Sequence, residues 1–126
     1  MADIYTIKGT ELVPDPFDPS QDANIACPVE ALAANGYRWV SGSCDASTSD
    51  LHGCSIALFR HRLHGFFLDI KDMHGERIIA FKAGNAVHLL TVLEKAAPLL
   101  HLLALDQRYC IHVANEVAAA YPRRAA

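Results

Sequence analysis

The chain has 126 residues, 52% of them hydrophobic and 20% charged, which is the balance of a globular protein and excludes a long disordered chain. A formal net charge of −3 excludes both a polybasic nucleic-acid protein and an acidic solvating tail. Surface scaling lets a chain of this length bury about two-thirds of its unfolded area, so one domain over residues 1–126 is expected to build its core without staples.

The charge is unevenly laid out. Residues 1–54 carry eight acids and two bases (−6), and residues 55–126 carry six acids and nine bases (+3). The start, Met1 to Tyr5, lacks the cationic segment and apolar run of a secretory signal, and no run approaches the ~18 apolar residues of a membrane span. The expectation is a cytoplasmic protein with no membrane partner. Four cysteines at low density, without an Asn-x-Ser/Thr sequon, fit reduced thiols.

In chain order, Tyr5 to Val13 has the β-branched residues of an edge strand, interrupted at Gly9 by a bulge or turn. Residues 14–27 form a Pro/Asp-rich arm, in which Pro14, Pro16 and Pro19 stiffen the backbone. A short helix starts at Pro28 and stops at Asn35-Gly36, and Tyr37 to Val40 follows as a short strand. Residues 41–54, rich in serine and glycine, form a polar loop. Three apolar runs at about 55–63, 66–71 and 77–83, separated by His64-Gly65 and Asp72 to Gly75, give a three-stranded antiparallel meander. Apolar positions from Ala86 to Ala97, and again from Leu99 to Tyr121 beyond Pro98, give two helices. Within the second, residues 108–114 also have strand propensity. The fold class is therefore α+β: a small antiparallel sheet, one early helix, and two C-terminal helices packed on the sheet as a second layer.

Chemistry-bearing motifs are sparse. Seven histidines raise the question of metal or proton chemistry, but His61 and His64 point to opposite faces of a strand, and His101 and His112 lie about 16 Å apart along a helix. Cys44, His52 and Cys54 are close enough in sequence to share an ion, yet their gaps match no zinc knuckle, and no metal or other cofactor is expected. A disulfide between Cys44 and Cys54 stays open beside free thiols. His74-Gly75-Glu76 has the His-x-Glu of zinc deaminases without the Pro-Cys-x-x-Cys that such a site needs. Cys110, His112 and Glu116 stand at spacings that do not share a helix face, and the seven glycines form no phosphate-binding loop. A His/Cys-dependent enzyme is the least supported class.

Two surfaces carry more information. If Phe66, Leu68 and Ile70 face the core with Phe59, Leu63, Ile79 and Phe81, the opposite sheet face displays Arg60, Arg62, Phe67, Asp69, Lys71 and Lys82. Arg60, Arg62, Lys71 and Lys82 would hold the phosphates of single-stranded nucleic acid, and Phe67 would stack on a base. The excess of Leu and Ala over residues 86–105 exceeds one apolar stripe, so Leu99, Leu100, Leu102 and Leu103 are expected at a homodimer or partner contact. The leading expectation is a non-enzymatic interaction module, homodimeric by this apolar count, that binds another macromolecule. The alternative is nucleic-acid binding through the sheet.

Overall fold

The structure is a computed structural model that describes residues 4–42, 55–72 and 74–102. In chain order the elements are β1 (Ile4–Lys8), β2 (Glu11–Pro14), α1 (Pro28–Ala34), β3 (Tyr37–Gly42), β4 (Ser55–His61), β5 (Gly65–Lys71), β6 (Arg77–Ala83) and α2 (Ala86–Leu102). The fold is α+β, but the sheet is larger than a meander and it is mixed. Its order is β2-β1-β6-β5-β4-β3. Strands β3 to β6 follow one another antiparallel, whereas β1 lies parallel to β6 with Ile4 beside Ala80 and Tyr5 beside Phe81.

The N-terminal segment expected as one edge strand is a hairpin. The chain turns at Gly9-Thr10, where Gly9 has φ +62°, so β1 becomes an inner strand and only β2 lies at the edge. The arm then passes beneath the sheet to α1, and β3 forms the opposite edge.

Two faces of this sheet are covered, giving three layers instead of two. On one face Ile56, Leu58, Phe66, Leu68, Ile70, Ile79 and Phe81 pack against Leu89, Val92, Leu93, Ala96 and Leu100 of α2. The other face gathers Ile4, Tyr37, Ala57, Phe59, Phe67 and Ala80 around Leu32 of α1. Side chains alternate between sheet faces, so a strand such as β5 that is buried along most of its length requires cover on both sides.

The expected position of Phe59 beside Phe66 is corrected by the register. His61 pairs with Gly65 across a three-residue loop, which places Phe59 opposite Phe67 and Arg60 opposite Phe66. A one-residue change of register exchanges the faces of the whole strand. Gly65 sets this loop: its φ is +84°, and a Cβ there would stand 2.2 Å from the carbonyl oxygen of Ala83. Leu63, expected in the core, sits on the loop and is 75% exposed.

The expected break at Pro98 does not occur, because α2 continues through it to Leu102. Pro98 is exposed, so the carbonyl left without an N–H partner can be hydrated, while Ala96 and Leu100 keep this part of the helix on the sheet. The second expected C-terminal helix, beyond Leu102, lies outside the described residues. So do most of the 41–54 loop and the stretch 108–114. No helix among the described residues is long and apolar enough to cross a membrane.

Candidate functional site

The sheet face expected to display basic residues is closed by the chain's own acidic arm. Strand β6 contains a bulge: Ile70 pairs with Ile79, but Lys71 pairs with Arg77. The extra residue, Ile78, packs toward α2 and turns Arg77 onto the face of Asp69. Arg77 Nε donates to Asp69 Oδ1 at 2.8 Å, and its Nη2 donates to Asp69 Oδ2 at 3.2 Å. The same guanidinium reaches the arm, donating from Nη1 to Asp18 Oδ2 and from Nη2 to Ser20 Oγ, both at 2.7 Å. It also lies over the Phe67 ring, 5.3 Å from the centroid.

A second tie lies one pleat away. Lys82 Nζ stands 3.0 Å from Asp15 Oδ2, donates to the Phe17 carbonyl at 3.3 Å, and sits 4.8 Å from the centroid of the Phe17 ring. The Asn35 amide donates to the Pro19 carbonyl and fastens the arm to α1. Burial opposes the charge on Arg77, but its bonds and charge pairing with Asp69 and Asp18 prevail and raise its pKa. Burial likewise acts to raise the Asp18 pKa, yet the Ser20 hydroxyl, Arg77 and the Ser20 amide together hold it below its ordinary value.

This arrangement separates the expected nucleic-acid residues. Phe67 is fully buried, so its ring has no surface for a base. Lys71 stands 3.8 Å from buried Asp69, and Lys82 is held by Asp15. Arg60 and Arg62 remain exposed, but at the β4 end of the molecule. The −6 and +3 halves of the sequence are thus partly paired with each other. Leu100 faces the sheet and Leu99 is half-buried against the same core, while the side chains of Leu102 and Leu103 lie outside the described residues. Cys44, His52 and Cys54 also lie outside them; among the described residues no three His, Cys, Asp or Glu side chains gather as a metal site.

The site that does emerge is a cleft of about 1100 Å³ at the β3 edge, lined by residues of α1, β3, β4 and the 62–64 loop. Trp39 dominates it. This single tryptophan is 58% exposed and shares the lining of the cleft with Val29 and Ala33 of α1 and with Leu63. Arg38, Arg60 and Arg62 add donors and cationic charge, His61 lines the cleft with them, and no carboxylate is among the described lining residues. Arg38 and Arg62 have no ion-pair partner among the described residues.

The rim of the cleft is preorganised. His61 Nδ1 accepts the backbone N–H groups of Leu63 at 2.9 Å and His64 at 3.1 Å, which fixes Nδ1 as the unprotonated ring nitrogen. The His61 ring also meets Tyr37 at 5.0 Å and His64 at 4.3 Å between centroids; the opposite faces expected for His61 and His64 do not hold, because β4 ends at His61 and His64 lies on the turn. Burial, with the negative charge of Asp15 nearby, raises the Tyr37 pKa and keeps the phenol neutral. Behind Tyr37 lies a smaller cleft of about 290 Å³, lined by Thr6, Asp15, Phe17, His64 and Lys82 among others.

Sequence reasoning identified Arg60 and Arg62 but missed Arg38 and Trp39. An Arg-Trp pair on a short strand was the available signal, but its exposure depends on β3 being an edge, which only the long-range strand order determines. Comparison with models of protein families, with curated proteins and with solved structures found no match.

Proposed function

We propose that this protein is a non-catalytic interaction module that binds another macromolecule in the cleft at the β3 edge. The observation that carries this reading is Trp39, a large ring left 58% exposed on a strand where Tyr37 is buried and Val40 half-buried. Tryptophan and arginine are among the side chains most enriched at binding hot spots. The platform beneath it is rigid: α1 and the arm are tied to the sheet by Asn35, Lys82 and Arg77. Arg77, Asp69, Asp18, Lys82 and Asp15 are engaged with one another, so these charges support the scaffold and leave the cleft to supply recognition.

The test compares wild type with Trp39→Ala and Arg62→Glu, used as immobilised bait in native lysate with quantitative mass spectrometry. Both substitutions lie on exposed positions and should move the melting temperature little, because surface changes usually fall within about 0.5 kcal/mol. Retained macromolecules should fall at least several-fold with either variant. Equal retention by wild type and both folded variants would remove the cleft from the function.

A further inference from the structure

The partner class can be derived from the two sides of β3. Strand order leaves one side of β3 paired with β4, and among the described residues no strand pairs with its other side. Such an edge presents backbone N–H and C=O groups to an added strand, and alternate side chains then supply specificity.

Over residues 37–39, before the bulge at Val40, the cross-strand register says what those alternate side chains meet. Trp39 pairs with Phe59, whose side chain lies in the cluster that includes Leu32 and Val29 of α1. Arg38 pairs with Arg60, which is in turn opposite Phe66 on the α2 face. The edge is therefore two-sided: aromatic and aliphatic on the α1 side, cationic on the other. Arg38 has no ion-pair partner among the described residues, and a carboxylate on an added strand beside it would supply one.

From this we infer that the cleft takes an extended peptide segment in which acidic and apolar residues alternate, added to β3 as a further strand. Apolar side chains of the segment lie against Trp39 and α1, and its carboxylates lie against Arg38 on the opposite side. A second copy of this chain fits less well, because edge-to-edge pairing about a two-fold axis would bring Arg38 of both copies close together. A nucleic-acid strand would use the same cations and Trp39, but it has no backbone that continues a sheet. This inference rests on the proposed binding cleft and adds the chemistry of its occupant.

The experiment titrates the full chain with three probes and follows Trp39 emission, the single tryptophan serving as reporter. One is an octapeptide alternating Asp or Glu with Leu or Val; another has the same composition with acids and apolar residues in separate blocks; the third is a single-stranded oligonucleotide. The alternating peptide should saturate the signal and slow amide exchange in β3, with the block peptide at least about tenfold weaker. Arg38→Glu should weaken the alternating acidic peptide by about tenfold or more and favour a peptide alternating Lys with Leu; Arg38→Gln, which introduces no new charge, should give the smaller loss. Equal binding of alternating and block peptides, preferential binding of the oligonucleotide, or no peptide binding would overturn the inference. The broader cleft proposal survives any of these if the lysate partner is still lost with Trp39→Ala, so the two failures are distinguishable.

Discussion

The two faces of the sheet are closed by different physics. Toward α2 the contact is continuous and apolar, with Phe81 and Leu68 from the sheet against Leu89, Val92 and Ala96 from one regular helix. Toward the arm, apolar burial around Phe67 and Leu32 is joined by a charged network in which one guanidinium holds residues 69, 18 and 20 together. The first face tolerates conservative changes of shape, because apolar contact is non-directional. The second depends on partners that are costly to remove singly, since each leaves another charge buried. The same chain thus has one cover that is strong through area and another that is specific through geometry.

The largest expected effect is on the apolar face. Phe81 is fully buried, and Phe81→Ala removes its packing and leaves a cavity, a loss of about 3–5 kcal/mol. Urea unfolding should show this as a lower midpoint with little change in slope. A loss below about 1 kcal/mol would mean that α2 does not close this face as tightly as the packing implies.

Arg77 provides the corresponding perturbation on the charged face. Arg77→Ala leaves Asp69, with 2% of its side chain exposed, without its bidentate partner, and about 3 kcal/mol of stability should be lost. Asp69→Leu combined with Arg77→Met should recover much of that loss, because apolar replacement of a buried pair is often neutral. If the double variant is less stable than Arg77→Ala, packing around the pair rather than its charge sets the cost.

These faces also differ in how far they can be read before folding is known. The apolar face follows from local periodicity: positions 66, 68 and 70 alternate, and positions 89, 92, 93 and 96 recur at helical spacing, so both partners announce themselves. The charged face does not. Arg77 meets Asp18 across 59 residues, and it reaches that side only because Ile78 is a bulge. Likewise, Phe67 has the pattern of an exposed ring until α1 and the arm are placed over it. The candidate cleft is legible only in Arg60 and Arg62, because the exposure of Trp39 follows from which strand ends the sheet. Pro98 shows the reverse case, in which a strong local breaker yields to tertiary packing.

The smallest and most selective perturbation is acid. The Asp18 carboxyl would be raised by burial, but hydrogen bonds from Ser20 and Arg77 lower it below its ordinary value of 3.8. Protonation is therefore disfavoured in the folded state. The stabilisation from this carboxylate is present above the unfolded value and is lost as pH falls from about 4 through the lowered folded value. Asp18→Asn removes the charge at every pH while keeping the shape, and should cost about 1–2 kcal/mol at pH 6. The variant and wild type should converge in melting temperature as pH is lowered through the folded value of Asp18, since the wild-type carboxyl then also becomes neutral. Curves that stay parallel would show that the Asp18 carboxyl does not carry the acid sensitivity of this face. Convergence would identify the arm as the first part of the charged cover to loosen in acid, while the face closed by α2, which has no buried carboxylate among its described core residues, keeps its packing.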